Sequence, residues 1–220
     1  MSANTTTTLI KTFSISTALI ASGGIASLTL FDIPELQSQP ASRSLPMTRW
    51  LFSWGSHIFP PASFISSAGF ICLAYISSPT LASRAFGKAA RLVISSREVR
   101  GYLVAAALTF SIAPFTAKIM IPTNFALIRM NADLGGARSE EAVRWGDVRA
   151  RSALDSVNGK GEGVGQWTDV SRPQERTLRD GSEEDDRRAR ELLGKFGRLN
   201  MGRSILMGLG GIVGLVTAIG

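Results

Sequence analysis

Residues 101–127 read GYLVAAALTFSIAPFTAKIMIPTNFAL, 27 positions whose one charge is Lys118. About 20 consecutive apolar residues suffice to cross the hydrocarbon core of a bilayer, so this stretch alone points to a membrane-spanning helix. Pro114 and Pro122 remove backbone donors within it and predict a bent or loosened helix, which membranes tolerate where neighbours satisfy the exposed carbonyls. Three further apolar segments lie outward from it, over about 9–31, 54–78 and 199–220. The expected fold is all-α: a four-helix transmembrane bundle with a long, partly disordered polar loop between helices three and four. Residues 1–127 hold the first three helices, 128–198 a charged extramembrane loop with short surface helices, and 199–220 the fourth helix. Such a chain is a multi-pass integral membrane protein.

The charge distribution agrees. The segment 128–198 carries 14 of the 24 Lys/Arg and 14 of the 17 Asp/Glu, and the only acids outside it are Asp32, Glu35 and Glu98. A mean hydropathy of +0.15 therefore averages one very polar segment with four apolar ones. The single cysteine, Cys72, excludes an internal disulfide framework, and the single histidine, His57, excludes a polyhistidine metal site within one chain. The net charge of +7 sits beside apolar segments and not in a basic patch interleaved with aromatics, so nucleic acid is not an expected partner.

For the first segment the competing reading is a cleavable leader, since Ala21 to Ser27 are small apart from Ile25. Against it, the basic start is the lone Lys11 and the apolar run exceeds the ~7 to 15 residues of a leader core. The second segment is opened by Trp50 and Trp54, rings suited to a membrane surface, and Pro60 and Pro61 are expected in its first turns. Glycines 202, 208, 210, 211 and 214 give the fourth a smooth packing face.

Loop one, 32–49, with Pro34, Pro40 and Pro46, is expected to be irregular. Loop two carries Arg84, Lys88, Arg91, Arg97 and Arg100, which favour the cytoplasmic side; Arg187, Arg188, Arg190, Lys195 and Arg198 before the fourth helix argue the other way. In loop three, Ser139 to Asp155 reads as a capped surface helix and 156–182 as flexible. Ser182 followed by four acids and then three arginines suits the start of a helix leading into the membrane.

With four crossings, one side of the membrane collects most of the unusual polar groups. Thr116, Met120 and Asn124 are spaced by four, Asn200 and Arg203 by three with Met207 one turn on, and His57, Asp32 and Glu35 belong to the same side. A guanidinium inside an apolar helix costs about 2.5 to 3.5 kcal/mol at the bilayer centre and so calls for a partner, with Asn124, Asn200, Asp32 and Glu35 available. The bland alternatives are a snorkelling Arg203, asparagines acting as interhelical glue, and an interfacial His57.

The run Pro114-Phe115-Thr116-Ala117-Lys118-Ile119-Met120-Ile121-Pro122-Thr123-Asn124-Phe125 resembles the third-helix signature of the anthrone oxygenase family, small four-helix membrane proteins. Residues Phe196 through Asn200 to Arg203 resemble that family's Trp-x-x-x-Asn-x-x-Arg motif, with Phe196 in place of tryptophan. Residues 159–186 look like an insertion in a loop that the family keeps shorter.

The resemblance implies a membrane-bound, cofactor-independent monooxygenase that oxidises an anthrone-type polyketide to an anthraquinone with molecular oxygen, in secondary metabolism. Its partners would be the lipid bilayer, an apolar aromatic substrate and oxygen, with homo-oligomerisation open. Arg203, Asn124 and Asn200 would stabilise the enolate oxygen, and His57 or Glu35 would take the proton. Phe115, Thr116, Met120, Phe125 and Phe196 would line the substrate slot. The alternative is a non-catalytic four-helix membrane protein acting as an accessory or scaffold partner; a transporter is disfavoured by the lack of an inverted repeat.

Overall fold

The computed structural model describes residues 3–78, 96–144 and 168–220, and every regular element among them is helical. In chain order these are α1 (Ala3–Ser27), a π-helical turn (Leu28–Asp32), α2 (Ile33–Gln37), α3 (Ala41–Ile76), α4 (Arg97–Phe115), a second π-helical turn (Thr116–Met120), α5 (Ile121–Asp133), α6 (Glu140–Arg144) and α7 (Glu183–Ile219). Four continuous rods, Asn4–Gln37, Ala41–Ile76, Arg97–Asp133 and Glu183–Ile219, are long and apolar enough to cross a membrane. The protein is an integral membrane protein, all-α with four such helices among the described residues, each longer than its apolar span.

Proline explains both π turns. Pro34 has no N–H for the carbonyl of Leu30, and Pro122 has none for that of Lys118. The turn before each proline widens, and the Ile33 N–H reaches back five residues to the Leu28 carbonyl. The loosening expected of helix three thus takes the form of a wider turn.

Loop one is not irregular. Only Ser38, Gln39 and Pro40 leave the helical path between α2 and α3. Pro34 sits in the first turn of α2, where the π turn before it takes up the missing donor, and the Pro40 carbonyl accepts from Arg43 N at 2.9 Å to start α3. Because α3 begins at Ala41, Pro60 and Pro61 fall in its interior and not in its first turns. There they withdraw donors from the carbonyls of Ser56 and His57.

The described residues divide into two compact units. The first comprises Met1–Ala26, Phe59–Thr116 and Met201–Gly220, the second Ser27–Ile58 and Ala117–Asn200.

In the first unit all four rods meet. Ile15, Ala18, Phe70, Leu73, Tyr102, Ala105, Ile112 and Met207 form its buried core. Outward apolar side chains such as Phe13, Ile20, Phe64, Ile71, Phe110 and Val216 suit acyl chains. The helices approach closely because small residues line the seams: a Cβ at Gly210 would stand 2.6 Å from Thr109 Cγ2 and 3.1 Å from the Ala105 carbonyl oxygen. Hydroxyls hand their protons to neighbouring backbones. Ser63 Oγ donates to Thr109 O at 2.7 Å, Ser67 Oγ lies 2.8 Å from Thr109 Oγ1, and Ser22 and Ser204 each donate to the other's carbonyl at 2.8 and 2.9 Å.

The second unit is built from charge and capping. Residues 168–182, expected to be flexible, are tied down in it. Gln174 Oε1 accepts from Ala137 N at 2.7 Å, Thr177 N donates to Ser42 O at 2.8 Å, and Arg179 N donates to Leu134 O at 3.0 Å. Gly135, at φ +78°, supplies the left-handed turn after α5 that brings the chain into these contacts. Ser139 does cap α6, its Oγ accepting from Ala142 N at 3.1 Å, but the expected helix is described only to Arg144; 145–155 and 156–167 lie outside the described residues. So do Arg84, Lys88 and Arg91. Ser182 caps α7 as expected, its Oγ accepting from Asp185 N at 3.2 Å, and that helix runs on without a break to Ile219.

Candidate active site

Each unit holds part of the expected constellation. In the first, Arg203 of α7 is 8 % exposed, with its guanidinium carbon 5.9 Å from the centroid of the Phe59 ring. That geometry is a cation–π contact, strengthened by removal from water. Phe59 reaches this position because Gly24 leaves room: a Cβ there would lie 3.3 Å from the ring. Gly202 does the same for Phe115, 3.4 Å from where its Cβ would stand. Thr116 spends its hydroxyl on the Ile112 carbonyl at 2.7 Å, so it offers a ligand less than its position in the motif suggests.

In the second unit Asn200 is fully buried, one helical turn before Arg203 along α7. Its Nδ2 donates to Thr29 Oγ1 at 3.2 Å, and Thr29 Oγ1 donates to Gly197 O at 3.4 Å. Thr29 lies within the first π turn, so the widening caused by Pro34 occurs where Asn200 is held. Phe196 is buried against Phe52, ring centroids 4.9 Å apart at 57°. Met120 is fully buried, whereas Asn124 and Phe125 are half-buried; the Asn124 Oδ1 is itself shielded and accepts no hydrogen bond among the described residues. The π turn Thr116–Met120 also breaks the 3.6-residue repeat on which the alignment of Thr116, Met120 and Asn124 on one face depends.

His57 stands in other company. Its Nδ1 lies 2.5 Å from Ser53 O, and since a carbonyl only accepts, that nitrogen carries a proton. The ring lines a pocket of about 150 Å³ together with Trp50, Trp54, Arg138, Ser139 and Asp169, and neither Asn124 nor Asn200 is part of that lining. The same lining includes a buried ion pair: Arg138 Nη2 and Asp169 Oδ2 are 3.0 Å apart, their side chains 2 % and 4 % exposed. Asp169 also accepts from Ser139 Oγ at 2.5 Å and from Ser171 N and Oγ at 3.0 and 2.6 Å. Burial pushes the Asp169 carboxyl up, but the hydrogen bonds from Ser139 and Ser171 and the Arg138 charge outweigh it and hold the group below its ordinary 3.8. Asp32 and Glu35 line a separate, larger pocket of the second unit.

A family model described as anthrone oxygenase matches residues 49–213, more than half of the chain. The chain belongs to the anthrone oxygenase family. It is also 28 % identical over 174 residues to anthrone oxygenase tpcL of Aspergillus fumigatus, across 76 % of this chain and 98 % of that protein. No solved structure matches it.

The family match takes in α3 from Arg49, all of α4 and α5, and α7 as far as Val213, so Arg203, Asn200, Asn124 and His57 all fall inside it. Several residues of this anthrone oxygenase family member that shape the candidate site escape a reading of the sequence. Phe59 and Thr29 are ordinary apolar-helix residues until the fold sets them beside Arg203 and Asn200. Arg138 and Asp169 are 31 positions apart in a segment full of charges, with no spacing rule to connect them.

Proposed function

We propose that the chain oxidises an anthrone-type polyketide to the anthraquinone with molecular oxygen, acting in the membrane and without a cofactor. The observation that carries this reading is Arg203: a guanidinium 8 % exposed, laid against an aromatic ring, one turn from a buried carboxamide, in a chain of the anthrone oxygenase family. A buried cation is costly unless it is used, and a delocalised oxyanion on a flat ring is a matching use.

The chemistry asks little of the protein. A base removes one proton from the doubly benzylic carbon, and the electron pair spreads through the ring onto the carbonyl oxygen. Arg203, with the carboxamide N–H groups of Asn200 and Asn124, stabilises that oxyanion. The anion gives one electron to oxygen, the two radicals combine to a carbon-bound peroxide that takes back one proton to become the hydroperoxide, and loss of the second benzylic proton with O–O cleavage releases water. One oxygen atom ends in the quinone and the other in water. His57 is assigned as the base, with Nε2 as the accepting atom, and the 150 Å³ pocket beside it has room for a few waters to carry the proton away. Phe115, Met120, Phe125 and Phe196 supply apolar surface for the rings.

The test is direct. Membranes containing the protein, given an anthrone under oxygen, should form quinone faster than matched empty membranes. Arg203→Ala should lower the rate by about 10² to 10³, the loss typical of removing one preorganised oxyanion donor. Arg203→Lys should recover part of it, keeping the charge but losing the planar fork. A wild-type rate equal to that of empty membranes would refute the reading.

A further inference from the structure

The larger pocket of the second unit has a volume of about 550 Å³, within the range of small-molecule sites. None of the residues that the proposed reaction uses lines it, although Glu35, the alternative base, does. Its walls are of two kinds. Leu36, Met47, Trp50, Leu51 and Pro173 are apolar, whereas Asp32, Glu35, Glu175, Arg43 and Arg176 are charged. Trp50 is a fixed wall: its indole N–H donates to Ser171 O at 2.9 Å, and its ring meets Trp54 with centroids 5.9 Å apart at 56°. Arg176 is oriented by Asp180 at 2.8 Å, and Arg43 is exposed and enters no ion pair among the described residues.

We infer that this pocket is a second binding site for a flat, polyhydroxylated aromatic molecule. The ligand class rests on the oxygenase reading above; the site itself rests on the lining. An aromatic and aliphatic floor accepts a fused ring. Carboxylates accept phenolic protons, and the two guanidinium groups donate to ketone or quinone oxygens, in planar geometry suited to them. Three acids against two bases disfavour a phosphate-bearing headgroup, which would need a cationic majority. The pocket would hold substrate or product away from Arg203, binding without turnover.

Titration of the full-length protein in nanodiscs with a dihydroxyanthraquinone, against empty nanodiscs, tests this by calorimetry and by quenching of tryptophan emission. Saturable binding is expected. Met47→Trp, which fills the pocket, should abolish the binding component that Trp50 reports, and Glu175→Arg, at an exposed lining position, should weaken that component. Trp50→Phe should reduce the quenched amplitude, and Arg203→Ala should leave binding intact while removing turnover. Binding that survives both Met47→Trp and Glu175→Arg, or that is lost in Arg203→Ala alone, overturns the inference. The two readings fail separately: binding governed by Met47 without quinone formation would sink the oxygenase reading alone, and turnover with binding indifferent to Met47 would sink this one alone.

Discussion

The two compact units hold the same rods together by opposite means. In the first, helices touch through glycine, alanine and serine, and hydroxyls bond to carbonyls of neighbouring helices; Ser63, Ser67 and Thr109 form one such knot. In the second, the chain is fastened by caps, by Glu140 between Arg144 and Arg172, and by the buried Arg138–Asp169 pair. The contrast follows from the residues that each unit contains, small and hydroxylated in the first and charged in the second. Lipid offers no hydrophobic drive between helices, so close fit and satisfied hydroxyls must suffice. Water offers that drive, but it also competes for every exposed charge, so only shielded pairs matter much.

The strongest way to break this comparison is to remove one side of the shielded pair. Asp169→Ala should destabilise the protein by about 3 to 5 kcal/mol, because Arg138 is left buried and uncompensated. Replacing both, Arg138→Met with Asp169→Leu, should restore most of the loss; thermal unfolding in nanodiscs measures both. Next comes the seam of the first unit. Gly210→Ala puts a methyl against Thr109 and the Ala105 backbone and should cost about 1 to 3 kcal/mol in the same assay.

A pH series sharpens the contrast further. The folded-state Asp169 carboxyl is held below its ordinary 3.8, so its contribution is fully present above that pH and disappears as pH falls through the lower folded value. The loss should be roughly 1.4 kcal/mol for each unit of depression, and absent in Asp169→Asn. A wild type whose unfolding midpoint is unchanged between about pH 5 and pH 3 would remove this carboxyl from the account. The smallest effect is expected at Ser63→Ala, about 0.6 kcal/mol, the average for an interhelical hydrogen bond in a membrane protein.

Much of the fold was legible because membrane spans are written in long runs. The stretch 101–127 needs no partner to declare itself helical, and Ser139 and Ser182 announce helix starts through local capping rules. Where the reading misjudged loop one and the start of the second helix, proline was the reason. Pro34, Pro40 and Pro46 suggest an irregular loop, yet Pro34 and Pro40 stand where helices begin; Pro60 and Pro61 suggest a first turn, yet they lie inside a 36-residue helix. A proline removes a donor in either setting, and whether that matters depends on which carbonyl would have received it. The site was legible only as a list. Arg203 and Asn200 stand out as polar groups in an apolar helix, but nothing local pairs them with Phe59 and Thr29, more than 140 residues away along the chain.

The sequence by itself determined that this chain is helical, that it enters a membrane four times, and which polar residues are dragged into those helices at a cost. Both are local facts: the length of an apolar run and the price of an isolated charge do not depend on what lies alongside. The tertiary structure alone decided that residues 168–182 lock onto Ala137, Arg138 and Ser139, and that His57 and Arg203 sit in different surroundings. Those outcomes hang on hydrogen bonds and ring contacts between residues far apart in the chain, and no periodicity records them.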